Sequence, residues 1–89
     1  MRAPILVLSG LLALTWAAQA HAKGKPEAPD KVAKKACAAG DYVKGVEILA
    51  DLYVRTDDTA YIFNQGRCYE QCHQWVRAVD RFREFLRKT

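Results

Sequence analysis

An internal repeat constrains this chain more than any other feature. Adding 33 to Tyr42, Gly45, Val46, Leu49, Leu52 and Tyr53 gives Trp75, Ala78, Val79, Phe82, Phe85 and Leu86. All six pairs keep their size class or their apolar character. The same shift carries Ala33 to Gly66 and Ala36 to Tyr69. Within each copy the apolar residues recur at steps of three and four, the spacing of one helix face. A fixed period of this length marks stacked supersecondary units, each burying its apolar face against a neighbour.

Each copy reads as a helical hairpin. In the later one, Ile62, Gln65/Gly66, Tyr69 and Cys72/His73 mark a first helix. A polar break at His73–Gln74 follows, and Trp75, Val79, Phe82 and Leu86 mark a second helix, widened by Ala78 and Phe85. Gly66 and Ala78 are small and central on their inward faces. They predict a close crossing, with Tyr69 and Phe82 filling space on either side. In the earlier copy, Pro29 suits a first helical turn and Asp30 a helix N-terminus. Val32, Ala33, Ala36 and Ala39/Gly40 keep helical spacing. Gly40 can end that helix in the left-handed conformation, and Asp41 can cap the next. Gly45, inside the second helix, costs about 1 kcal/mol of propensity relative to Ala. Asp and Thr residues of the joining segment 56–59 are candidate caps for the third helix.

A hairpin with Gly66, Tyr69, Ala78 and Phe82 in this order resembles the tetratricopeptide repeat, a helix-turn-helix unit of about 34 residues. Asn64, two before Gly66, also fits. The first copy is more degenerate, with Ala36 at the Tyr slot. Gln65 stands where that family prefers Leu, and His73 where its inter-helix turn usually has Gly. The resemblance implies an all-α fold, two repeats at about 26–58 and 59–89 within a domain over 30–89. Its packing residues are Tyr42, Gly66, Tyr69, Ala78 and Phe82. It also implies a non-catalytic protein-interaction module, whose first helices line a groove for a peptide. The groove slots fall on Phe63, Asn64, Arg67 and Glu70 of the second copy and on Lys34, Cys37 and Ala38 of the first. Asn64 would hydrogen-bond a peptide backbone, and Lys34 and Arg67 would meet a carboxylate.

Residues 1–22 read as a signal peptide. Arg2 supplies the positive start, Pro4 to Ala18 is an almost continuous apolar run, and Ala18-Gln-Ala20 and Ala20-His-Ala22 fit small-x-small cleavage. The run is about 15 residues, short of the roughly 20 that span a bilayer. Export to a periplasm or cell envelope is the expectation, with no stable membrane span after cleavage. Residues 23–29, rich in Pro and Gly, read as a linker.

Chemistry-bearing motifs are sparse. The chain has no phosphate-binding Gly-rich loop, no Gly-x-Ser-x-Gly and no His-Glu-x-x-His, so an enzyme is not expected. Glu47, Asp51, Glu70, Asp80 and Glu84 fall on outward faces. A net charge of +4, with bases interleaved among acids, argues against nucleic acid. The three cysteines are Cys37, Cys68 and Cys72. In an exported chain they can oxidise. Cys68 and Cys72, four apart on one helix, have β-carbons about 5–6 Å apart, too far for a disulfide. Cys37 can reach either of them across adjacent first helices, and Cys68 can equally be a small buried packing residue. Cys68-x-x-x-Cys72-His73 is one residue too long for covalent haem attachment, and zinc spacing is absent. No cofactor or metal is expected. The rival reading is a small exported redox or haem protein using Cys68, Cys72 and His73.

Repeat stacks usually need about three units. The second copy's outer face, with Tyr61, Phe63, Trp75 and Val76, therefore predicts further repeats in a longer chain, self-association, or folding on a partner.

Overall fold

The computed structural model describes residues 26–89. The signal-peptide reading of residues 1–22 lies outside them, as do residues 23–25 of the 23–29 linker, whose last residue, Pro29, already belongs to the first helix. Four α-helices follow one another, and the described residues contain no strand: α1 (Pro29–Ala38), α2 (Tyr42–Thr56), α3 (Ala60–Gln71) and α4 (Trp75–Lys88). The all-α expectation holds. α1 packs on α2, α3 on both α1 and α2, and α4 on α3 alone.

The two hairpin turns share two bonds at the 33-residue offset, although Ala39 N–H reaches the Lys35 carbonyl whereas Cys72 N–H reaches that of Tyr69. Asp41 N–H donates to the Ala36 carbonyl at 2.9 Å, and Gln74 N–H donates to the Tyr69 carbonyl at 2.9 Å. Gly40 N–H reaches the Cys37 carbonyl and His73 N–H the Glu70 carbonyl, each at 3.1 Å. These bonds satisfy the last carbonyls of α1 and α3, as left-handed helix ends do. Gly40 has φ +91° and His73 φ +59°. His73 thus adopts the left-handed geometry that a Gly at that slot would supply, at a steric cost Gly avoids. Its ring lies against Trp75, with centroids 5.3 Å apart.

Capping differs between the copies. Asp41 accepts a hydrogen bond from Lys44 N–H, whereas Gln74 makes no side-chain cap and instead accepts from Arg77 at 2.8 Å. At α3 the cap comes from Asp58, which accepts from Ala60 N–H at 2.9 Å; Thr59 makes no side-chain cap bond.

The core is small: Ala33, Ala36, Cys37, Leu49, Ile62, Cys68 and Ala78 are buried. Two glycines shape it. The space beside Gly66 is taken by the Phe82 ring, which a Cβ at Gly66 would strike. In the second hairpin the missing side chain of Gly66 makes room for the flat ring of Phe82, and Ala78 is also buried. Gly45 does more than weaken its helix. A Cβ there would collide with Cys37 Sγ and lie 3.0 Å from Cys68 Sγ and 3.2 Å from the Ala33 carbonyl oxygen. The glycine opens a notch in α2 for a disulfide.

That disulfide joins Cys37 to Cys68, with Cα atoms 5.2 Å apart, and leaves Cys72 as a free thiol. Of the two partners open to Cys37 in the sequence, α3 presents Cys68 at the height of the Gly45 notch. Gln65, the departure from Leu, is buried and satisfied. Its amide donates to the Val46 carbonyl of α2 at 3.1 Å, and its oxygen accepts from Arg81 of α4 at 3.4 Å. One polar side chain thus ties α2, α3 and α4 together, in keeping with the rule that buried polar groups find partners.

A candidate peptide groove

α1 and α3 present side chains into a shared cleft of about 350 Å³. The Cys37–Cys68 disulfide and Leu49 line it, with Asp30 and Lys34 from α1 and Asn64, Arg67 and Gln71 from α3. The local helix geometry explains the placement. Residues 30, 34 and 37 of α1, and 64, 67, 68 and 71 of α3, are each spaced at three or four, so each set shares one face. Burying the disulfide leaves the flanking residues of both stripes to rim the cleft.

A second cleft, also about 350 Å³, opens between α3 and α4. Phe63, Phe82, Phe85 and Leu86 supply its apolar surface, and Arg67 and Glu70 its polar edge. The Phe63 ring centroid lies 5.3 Å from that of Phe82 and 5.3 Å from that of Phe85, both tilted, a favourable aromatic arrangement. Arg67 Nε meets Glu70 Oε1 at 3.2 Å.

The seven groove slots expected from the sequence divide: Cys37 lies in the polar cleft as part of the disulfide, and Ala38 lines a separate recess with Gly40 and Cys72. Lys34, Asn64 and Arg67 share the polar cleft, Phe63 and Glu70 share the aromatic one, and Arg67 lines both. Of the packing residues, Gly66 and Ala78 are buried and Phe82 is half-buried, while Tyr42 and Tyr69 stack on each other with ring centroids 5.7 Å apart. Asp30 and Gln71 were not among the expected groove residues. Their spacing of four from Lys34 and Arg67 respectively was the available signal.

The carboxylates are less uniformly outward than their sequence positions suggest. Glu47, Asp51 and Asp80 are exposed, but Glu70 and Glu84 are half-buried. Glu84 pairs with Arg87 and, at 3.8 Å, with Lys88. The hydrogen bond from Arg87, aided by nearby positive charge, holds the Glu84 carboxyl below its ordinary range despite partial desolvation.

Cys68 is bonded to Cys37, and the His73 ring is stacked on Trp75, so the Cys68, Cys72 and His73 of the rival reading do not converge as free ligands here. Among the described residues no cluster of metal-ligating side chains is present, and no helix is long and apolar enough to cross a membrane. No protein-family model, curated protein or solved structure matches the chain.

Proposed function

We propose that the described domain is a non-catalytic module, of tetratricopeptide-like repeats, that binds an extended peptide segment of a protein partner. The observation that carries this reading is the ridge at Arg67, with a polar cleft on one side and an aromatic cleft on the other. An extended peptide advances about 3.3 Å per residue and turns alternate side chains to opposite sides. One such segment can set an apolar side chain against Phe63, Phe82 and Phe85. Its backbone then meets the amides of Asn64 and Gln71, and an acidic group a few residues on meets Lys34 and Arg67. Charge-assisted bonds to a carboxylate are the stronger kind, and Arg presents its donors in a fixed fork. Export through residues 1–22 places the module in a periplasm or envelope and belongs to the same reading.

Fluorescence titration with a library of eight-residue peptides, each holding one aromatic and one acidic residue at varied separation, tests it. Binding that depends on both peptide residues and weakens on Arg67→Ala is the expected result. Peptides that bind no better than scrambled controls, or equally to wild type and Arg67→Ala, would sink the reading.

A further inference from the structure

The sulfur chemistry where α1 meets α3 extends beyond the disulfide itself. Cys72 closes α3, one helical turn past Cys68. The four-residue spacing puts both cysteines on the same side of the helix, facing α1. Cys72 is a free, half-buried thiol whose Sγ donates to the Cys37 carbonyl oxygen at 3.7 Å. It also lines an open recess of about 510 Å³ with Cys37, Ala38 and Gly40. Cys37 is thus approached by two sulfurs of α3, one bonded to it and one held against its own backbone.

We propose that the Cys37–Cys68 disulfide exchanges internally with Cys72 to give a Cys37–Cys72 disulfide. The Cys72 thiol releases its proton to water, and the thiolate attacks Cys37 Sγ. The Cys37–Cys68 bond breaks, Cys68 departs with the electron pair as a thiolate, and it takes a proton from water. One S–S bond forms as one breaks, so the step needs no oxidant or reductant. Attack goes to the Cys37 sulfur because a bond between Cys68 and Cys72 would have to span β-carbons about 5–6 Å apart.

Two features set the balance. The Gly45 notch fits the Cys37–Cys68 form, since any Cβ there meets both of its sulfurs. Filling the notch therefore crowds both sulfurs of that form, whereas after exchange only the Cys37 sulfur is tied beside it. Cys72 itself sits at a helix end, next to the left-handed His73, where backbone fraying is least costly. Moving the tie from Cys68 to Cys72 advances it four residues, about 6 Å along α3. Lys34 would then slide relative to Asn64 and Arg67. That consequence rests on the groove reading; the exchange does not.

The test is disulfide mapping of the full oxidised chain. The protein is held at mildly alkaline pH, quenched in acid, alkylated and digested. Cleavage after Glu70 separates Cys68 from Cys72. Cys72 carries most of the label in the wild type, with a minor fraction on Cys68. Gly45→Ala raises the Cys68-labelled fraction several-fold. In Cys68→Ser, oxidised glutathione drives an intramolecular Cys37–Cys72 bond in a monomer that keeps its helical circular dichroism. Label absent from Cys68 in both wild type and Gly45→Ala overturns the proposal, as does a Cys68→Ser chain whose Cys37 and Cys72 stay unlinked. If Gly45→Ala fails to fold, the Cys68→Ser result decides. Peptide affinity is read separately: exchange with unchanged affinity keeps the sulfur chemistry and removes only its effect on the groove.

Discussion

α2 and α4 carry the same apolar pattern at an offset of 33 residues, yet they meet different surroundings. α2 lies between α1 and α3, whereas α4 touches α3 alone. Positions aimed at the hairpin partner behave alike: Gly45 and Ala78 are both buried. Positions aimed the other way diverge. Val46 and Tyr53 are half-buried on α2, while Val79 is 46% and Leu86 70% exposed on α4, and Trp75 is 58% exposed. A repeated pattern therefore specifies the hairpin from within. The cover over its second face comes from whichever unit packs next.

The largest effect should come from the bond that only the first hairpin shares with α3. Cys37→Ser removes every disulfide Cys37 can form. For cysteines at a sequence separation of 31, the loss is expected to be about 3–4 kcal/mol. Thermal melting by circular dichroism, under non-reducing conditions, reads it directly. A melting curve that matches wild type would mean that packing of α1 on α2 and α3 holds the first hairpin without the bond.

Next come the two glycines, which separate the copies by the stiffness of what faces them. Gly45→Ala meets sulfurs of a disulfide and a backbone carbonyl, which yield less readily than the end of a free side chain, and should cost about 1–3 kcal/mol. Gly66→Ala meets the Phe82 ring first, a half-buried side chain able to rotate, and should cost about 1 kcal/mol or less. Gly66→Leu exceeds what ring rotation can absorb and returns to about 1–3 kcal/mol. Denaturant melts of the three variants would break the comparison if Gly66→Ala proved the costliest.

Much of this fold was legible from the chain alone, and the reason is local. The turn at Gly40–Asp41 and the break at His73–Gln74 were marked by residues whose backbone preferences are short-range. The helices between them were marked by apolar periodicity. Gly45 was misread as a weakness because its purpose lies in two other helices: a propensity scale sees α2 but not the sulfurs of Cys37 and Cys68. Gln65 looked like a departure from Leu for the same reason, since its partners are Val46 and Arg81 on flanking helices. Spacing ruled out a Cys68–Cys72 bond but could not rank the two partners of Cys37, because that choice depends on how α1 lies against α3. At the polar cleft, Lys34, Asn64 and Arg67 were expected from the repeat resemblance, and all three line it. The division of the groove at Arg67 depends on the position of α4, which periodicity does not fix.

The equivalent valines test the uncovered face itself. Val46→Lys places a charge at a half-buried site of α2 and should cost about 1–3 kcal/mol. Val79→Lys, on the open side of α4, should stay within about 0.5 kcal/mol. Sedimentation alongside the melts sharpens the contrast. If Val79→Lys were as damaging as Val46→Lys and also shifted the sedimentation coefficient, the face would be covered in solution by another molecule.

The smallest expected effect lies at the end of α4. Asp51 and Glu84 are equivalent at the same offset, and each pairs with bases one turn onward: Asp51 with Arg55, Glu84 with Arg87 and Lys88. Arg87 and Lys88 also stand in the last turn of their helix, where positive charge complements the helix dipole. The Glu84 carboxyl is held below its ordinary value of 4.5, chiefly by the hydrogen bond from Arg87. A carboxyl lowered in the folded state stabilises that state above its unfolded value, and the contribution fades as pH falls through the folded value. Loosening of the last turn of α4 is therefore expected on acidification from about pH 5 downward, and not between pH 6 and 8. Amide hydrogen exchange at Leu86, Arg87 and Lys88, measured against pH and corrected for intrinsic rates, would show it. Glu84→Gln should abolish the pH-dependent part while leaving α1 and α2 untouched. Protection at these amides that falls equally with pH in wild type and Glu84→Gln would mean that the ion pairs do not anchor this end.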